Sequence, residues 1–429
     1  MSSRGPKTVE EVHVTVDWVK ELREDLRRID NPFCERELRI KALESILSEQ
    51  LLFPAEEESP FYEMDFHLHS NYSDGYWTPT GLLLEAYRLG MKCISLTDHD
   101  CFEGVEEAFE ARERIEKLTG NKIIFVPGIE FSTLYKDDKS QSKEIHILGY
   151  FPSRDYKEFR SYLDRIDIYT EAYLDAFQKC RVLRIYEMVK TFNEQLPLKV
   201  GGMLLELSKC AEPISLPTAR RGLRGSVAPG RLLACTGIYE IAHLQKLGRL
   251  CEISDETFSE RYIENVVDFM APFDSPHQLM VKYFDKEKPS AKVDYIGKTF
   301  NSRSVVTLIG ELRGIPVLAH PILYPDLFES ILEDVVPLGL RGVEVISSNS
   351  TGNDVDRLVR MDQYIEKRYP DLIITAGSDC HGHSTDGTFN YTPKIPMGLK
   401  RDMEGLAELI TKHDPRMKSL FKERGRGWA

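Results

Sequence analysis

The stretch EMDFHLHSNYSDGYWTPTGLLLEAYRLGMKCISLTDHD, which begins at Glu63, holds His67, His69, Asp74, Asp98 and His99. Imidazole nitrogens and carboxylate oxygens are the donors of borderline divalent ions. In an extended strand, H-x-H sends both rings to one face, because side chains alternate with period 2. Further along come Glu130 in GIEFS, His146 in EIHILGYF, His320 in LAHP, and Asp379 with His381 in GSDCHG. Six of the 11 histidines therefore fall in or just after short apolar runs, a pattern that scattered surface histidines would not produce. Mixed imidazole and carboxylate donors suit manganese, iron or zinc better than calcium. The eight cysteines form no C-x-x-C and read as reduced thiols rather than as a structural zinc site. Asp98, next to His99, reads as an acid behind the ligands or at the pocket edge rather than as a ligand.

The elements that must position these residues alternate in type. Lys7 to Leu52 reads as two charged amphipathic helices broken at NPF (Asn31 to Phe33), because Pro32 disfavours helix at Asn31. PAEEESP, from Pro54, reads as a linker. YEMDFHLH is then a strand. TPTGLLLEAYRLG is a helix with a Thr cap, an early Pro and a closing Gly90. KCISLT is a strand, FEGVEEAFEARERIEKLTG a helix, and KIIFVPGIEFST and EIHILGYF are strands. The alternation stops near Asp155 and resumes with IPVLAHP, LRGVEVISS and DLIITAGSDCHG. The expected organisation is α/β: an N-terminal helical extension (1–60), a first barrel part (61–154), a mostly helical insertion or cap (155–300), and a second barrel part with a C-terminal helix (301–429). Repeated β–α units of this size predict a barrel or a doubly wound sheet, with its site at the C-terminal strand ends.

Composition removes other classes. The chain has 429 residues, 41% hydrophobic and 29% charged, as in an ordinary globular protein. A formal net charge of −13 argues against a protein that coats nucleic acid, yet leaves room for a local cationic site. No apolar signal core opens the chain and no run of about 18 apolar residues occurs. The expectation is a cytoplasmic protein without a membrane partner. The N-terminal helices read as a packing or homo-oligomer element, or as a docking element.

Taken in order, H-x-H with SDG following, TDHD, GIEFS, AHP and GSDCH resemble the motifs of the PHP (polymerase and histidinol phosphatase) family of metal-dependent phosphoesterases. The resemblance runs from about Glu63 to Tyr150 and from about Ile315 to His413. It implies a distorted, TIM-like barrel of seven β/α units with a trinuclear site in its mouth. The implied ligands are His67, His69, Asp74, His99, Glu130, His146, His320, Asp379 and His381. By the same analogy, two to three divalent ions divide them. One takes His67, His69, Glu130 and Asp379; a second shares Glu130 and adds His146 and His320; a third takes Asp74, His99 and His381.

The implied reaction is phosphate ester hydrolysis by a metal-bridging hydroxide, with Asp379, Glu130, His381 and His320 as the catalytic set. The resemblance is nearest to the branch with an insertion before the AHP histidine, whose substrates are nucleoside monophosphates, 3′,5′-bisphosphates and short RNA ends. The expected partner is therefore a small phosphorylated substrate, a nucleotide or a short RNA or DNA end. Phosphate also calls for guanidinium groups. ARRGLRGSVAPGR (219–231) supplies Arg224 and Arg231 as candidate contacts, beside Asp98, although the same loop reads equally as a solvated one. A phosphatase for a non-nucleotide metabolite such as histidinol phosphate, and a non-enzymatic metal-bound scaffold, remain the alternatives.

Overall fold

The computed structural model describes residues 24–26, 28–29, 34–49, 64–73, 75, 77–136, 142–165, 245, 260–273, 278, 282, 300–346 and 355–381. The NPF break, the PAEEESP segment, the 219–231 loop and the C-terminal helix lie outside the described residues, as does most of the insertion.

The strands are β1 Met64–Leu68, β2 Cys93–Leu96, β3 Ile124–Lys136, β4 Ser142–Tyr150, β5 Phe300–Asn301, β6 Ile315–Leu318, β7 Gly342–Ile346 and β8 Ile373–Ala376. The helices are α1 Arg36–Ser48, α2 Pro79–Arg88, α3 Val105–Thr119, α4 Tyr156–Leu163, α5 Glu260–Met270, α6 Ser302–Glu311, α7 Phe328–Val335 and α8 Val355–Arg368. Local chemistry sets the helix ends. In α2 the Thr78 side chain accepts from Gly81 N–H, Pro79 opens the first turn, and Gly90 follows at φ 70°. In α3, Gly120 supplies the left-handed cap at φ 74°.

Seven strands pair in the order β1-β2-β3-β4-β6-β7-β8, and the short β5 pairs with β3. The path curls back on itself. Leu68 bridges Cys380 in parallel, and His69 N–H donates to the Cys380 carbonyl at 3.0 Å. Asp65 strengthens this seam, its Oδ1 accepting from His67 N–H at 3.0 Å and Ser378 N–H at 3.1 Å. The result is a distorted α/β barrel. One departure from uniform β–α alternation is clear: β3 and β4 form a long antiparallel hairpin, and β4 also runs antiparallel to β6. Only five residues, 137–141, lie between β3 and β4, too few for a crossover helix, and an antiparallel pair needs none.

Two cores follow. Phe66, Val126, Leu148, Tyr150 and Val317 belong to a cluster supplied by strands and their ends, which fills the inside of the curl. Tyr150 Oη donates to the Phe66 carbonyl at 2.9 Å and its ring meets Phe66 edge-on. The larger cluster joins the outer strand faces to the helices. It includes Ile40, Leu43, Ile46 and Leu47 of α1, so this part of the N-terminal extension is packed into the barrel's own core. The buried Arg39 of α1 pairs with Glu107 of α3 through Nε to Oε1 at 2.9 Å and Nη2 to Oε2. Thr80 N–H and Oγ1 also donate to Glu107, so the charge is fully engaged where it is buried. None of the described helices is long and apolar enough to cross a membrane.

Candidate metal centre

Strand ends from across the whole path deliver their polar side chains to one place. His67 and His69 come from β1 and its end, His99 follows β2, Glu130 lies in β3, His146 in β4, His320 follows β6, and Asp379 and His381 follow β8. Glu130 is the hub. Its Oε1 lies 2.8 Å from His146 Nδ1 and 2.9 Å from His320 Nε2. Its Oε2 lies 3.2 Å from Nε2 of both His67 and His69, and 3.1 Å from His99 Nδ1. Asp379 Oδ1 stands 3.4 Å and 3.2 Å from the same two Nε2 atoms. The rings are stacked or tilted against one another, His69 on His381 with centroids 4.4 Å apart and His67 on His320 at 5.7 Å.

The backbone holds this crowd under local strain. His320, Asp379 and Asp100 all have positive φ, at 25°, 51° and 55°. Non-glycine residues seldom adopt that region, and such strain collects where geometry is imposed for function. In SDG, a Cβ on Gly75 would come within 2.3 Å of the His69 carbonyl oxygen, so glycine is what lets this loop fold back over the histidine.

Electrostatics run in opposed pairs. Burial pushes the Glu130 carboxyl up, but facing His99, His67 and His146 outweigh it and hold the group well below the carboxylate range. Burial disfavours charge on His67, yet Glu344, then Glu130 and Asp379, raise it well above an ordinary histidine. His146 rises to about 10 against its burial, through Glu130. Asp379 is depressed despite burial by His67, His69 and His381. Carboxylates that stabilise charged imidazoles so strongly make a site that favours positive charge at its centre, and a divalent ion would compete with those protons for the same lone pairs.

The donor set fits such an ion. His67, His69, Glu130 and Asp379 bring ligand atoms within 4.8 Å of one another, as do His69, His99 and His381, and also His99, Glu130 and His146. Glu130 Oε2 is fully buried and accepts no hydrogen bond, although three ring nitrogens surround it. An oxygen desolvated in that way is costly unless something cationic meets it. Among the described residues these clusters contain no thiolate, as expected for a site of imidazole and carboxylate character.

Eight of the nine residues expected as ligands thus converge, while Asp74, Arg224 and Arg231 lie outside the described residues. Of the two places expected for Asp98, the one behind the ligands fits its contacts. It is 2% exposed. Its Oδ1 accepts from Ser70 N–H at 2.7 Å and Ser73 Oγ at 2.6 Å, and its Oδ2 accepts from Ser70 Oγ at 2.6 Å. Ser73 Oγ lies 3.4 Å from His69 Nδ1, so Asp98 supports the back of His69 rather than facing a substrate. One functional residue escaped sequence reasoning. Glu344 in β7 is 1% exposed, and its two oxygens lie 2.9 Å and 3.0 Å from His67 Nδ1. The available signal was a lone acid inside the apolar strand GVEVI.

The chain is similar to several known proteins. The PHP domain family model matches residues 65–209. A 5′-3′ exoribonuclease of Haemophilus influenzae is 35% identical over 85 residues, 20% of this chain and 27% of that protein. The chain thus spans about a quarter of the length of that relative. A 3′,5′-nucleoside bisphosphate phosphatase of Chromobacterium violaceum is 24% identical over 339 residues, covering 78% of this chain and 92% of that protein. A solved amidohydrolase of Chromobacterium violaceum with bound sulfate and no metal aligns at a TM-score of 0.46 and 22% identity, covering 80% of this chain and 96% of that one.

Proposed function

This chain carries a PHP domain, and on that premise we propose that it is a metal-dependent phosphoesterase that hydrolyses phosphate esters of nucleotides or short oligonucleotides. The observation that carries the reading is Glu130: one buried carboxylate with five imidazoles within 3.2 Å of its two oxygens and Asp379 opposite. In this proposal His67, His69, Glu130 and Asp379 hold one divalent ion, Glu130 with His146 and His320 a second, and His99 and His381, joined by Asp74, a third. Manganese, iron and zinc fit these donors. When bound, such ions lower the pKa of water from 15.7 towards about 7 and offset charge on a transferring phosphoryl group.

The protein's own contribution is placement and polarity. Asp379 and Glu130 keep negative charge beside the ring nitrogens, which favours cations there. His146 and His381 have side chains 21% and 28% exposed, so a substrate reaches them first. Arg224 and Arg231 are proposed as phosphate contacts from the insertion. The nucleotide class is supported by the nucleotide and RNA chemistry named for the two relatives.

The test is product analysis with manganese-loaded protein given 5′-AMP, a nucleoside 3′,5′-bisphosphate and a 5′-phosphorylated short RNA, each beside an Asp379→Ala control. Phosphate or mononucleotide release that disappears in the control supports the reading. Silence on all three substrates from protein that carries its metal would overturn the nucleotide assignment.

A further inference from the structure

We propose that Glu344 is a positioning residue: it holds the proton on His67 Nδ1, so that Nε2 is the atom turned to the metal, and it pins the His320 backbone beside it. The inference rests on the cradle being a metal centre.

Three observations lead there. The first is the bidentate approach of Glu344 to His67 Nδ1, between two side chains that are each no more than 1% exposed. A buried carboxylate is costly unless paired, and β7 is otherwise apolar here. Among the described residues, the partners of Glu344 are His67 and the backbone N–H of His320, which donates to Oε2 at 3.1 Å. Among the described residues no arginine or lysine pairs with it.

The second is the direction of the imidazole. With Nδ1 facing Glu344, Nε2 faces Glu130 Oε2 at 3.2 Å, Asp379 Oδ1 at 3.4 Å and His69 Nε2 at 3.1 Å. A carboxylate behind a ligating histidine fixes which nitrogen carries the proton and raises the basicity of the other. The third is Gly377. A Cβ there would lie 2.3 Å from His67 Cβ and 2.5 Å from Glu344 Oε1, so the histidine and the carboxylate close on each other over a residue with no side chain. The same carboxylate reaches His320, whose φ of 25° needs an outside hold.

A purely structural acid would predict lost stability and nothing selective for metal. The experiment separates the two with zinc as the ion. Histidine side-chain nitrogen spectra of the zinc-loaded protein, with His67 assigned by its loss in His67→Ala, should show the His67 proton on Nδ1. Chelator competition should show Glu344→Gln binding its tightest zinc about 10–100-fold more weakly. Added to His67→Ala, the same change should alter affinity less than about twofold, because its route to the metal is already gone.

A proton on Nε2 of zinc-loaded His67, or Glu344→Gln affinity within twofold of the parent, overturns the inference while leaving the metal centre standing. A parent protein that takes up no zinc overturns both. If Glu344→Gln does not fold, the ring spectrum of the parent decides alone.

Discussion

The cradle has two unlike halves. Around His67 and His69 the rings are sealed: both side chains are 0% exposed, Glu130 is 1% exposed, and protein carboxylates or hydroxyls stand behind the rings. Around the open end, the His146 and His381 side chains are 21% and 28% exposed. His381 Nδ1 meets the Asp379 backbone carbonyl at 2.8 Å, and His146 Nε2 lies 3.7 Å from the exposed Glu144. The sealed half excludes water and fixes its ligands from behind. The open half keeps a face for an incoming anion. The proposed phosphoesterase activity would use both properties, and Glu130 touches both halves.

Glu130→Ala should break the comparison outright, because the hub serves both halves. Turnover should fall by at least about 10³-fold, roughly 4 kcal/mol on the barrier, with metal content per chain falling alongside. Activity above a tenth of the parent would show that the halves do not depend on a shared hub. His381→Ala should sharpen the division. We expect the ion of the sealed half to stay in place by elemental analysis while turnover drops about 10²-fold, about 2.7 kcal/mol. Complete metal loss in that variant would mean that the two halves are one cooperative site.

Smaller effects lie behind the rings. Asp98→Asn leaves Ser70 and Ser73 with a weaker acceptor and should lower metal affinity about tenfold. An unchanged affinity would assign Asp98 to loop packing alone. The smallest effect concerns Glu103, whose carboxyl is pushed by burial, and further by Asp98, up to about 7. A raised carboxyl favours the neutral form in the folded state. Its stability contribution is therefore full below about 4.5 and is lost as pH rises through about 7. Metal-free protein should lose stability from this group between pH 5 and pH 8, a slope that Glu103→Gln removes. Parallel melting curves for the two proteins across that range would discard the assignment.

The parts legible in the sequence were those with short-range signals. H-x-H, TDHD and GSDCH announce themselves through residue type and period, and the helix ends at Thr78, Gly90 and Gly120 follow from local capping chemistry. Glu344 was not legible, because its partner is 277 residues away and an acid in a β strand has no marker of its own. Adjacency to His99 left the direction of Asp98 open, and the two serines that turn it inward lie more than 20 residues earlier. The antiparallel course of β4 did leave a sign: two apolar strands joined by polar YKDDKSQSKE, with no room for a helix of barrel length.

The seam between β1 and β8 bears on how the protein is made. Asp65 meets Ser378 across 313 residues, and Asp379 reaches the same ring nitrogens that β1 presents. A nascent chain therefore exposes His67, His69, His99 and His146 to the cell long before the residues that complete their cage have left the ribosome. Contacts of this span form late and slowly. The cage around the early histidines is therefore completed only when Asp379 arrives and the barrel shuts.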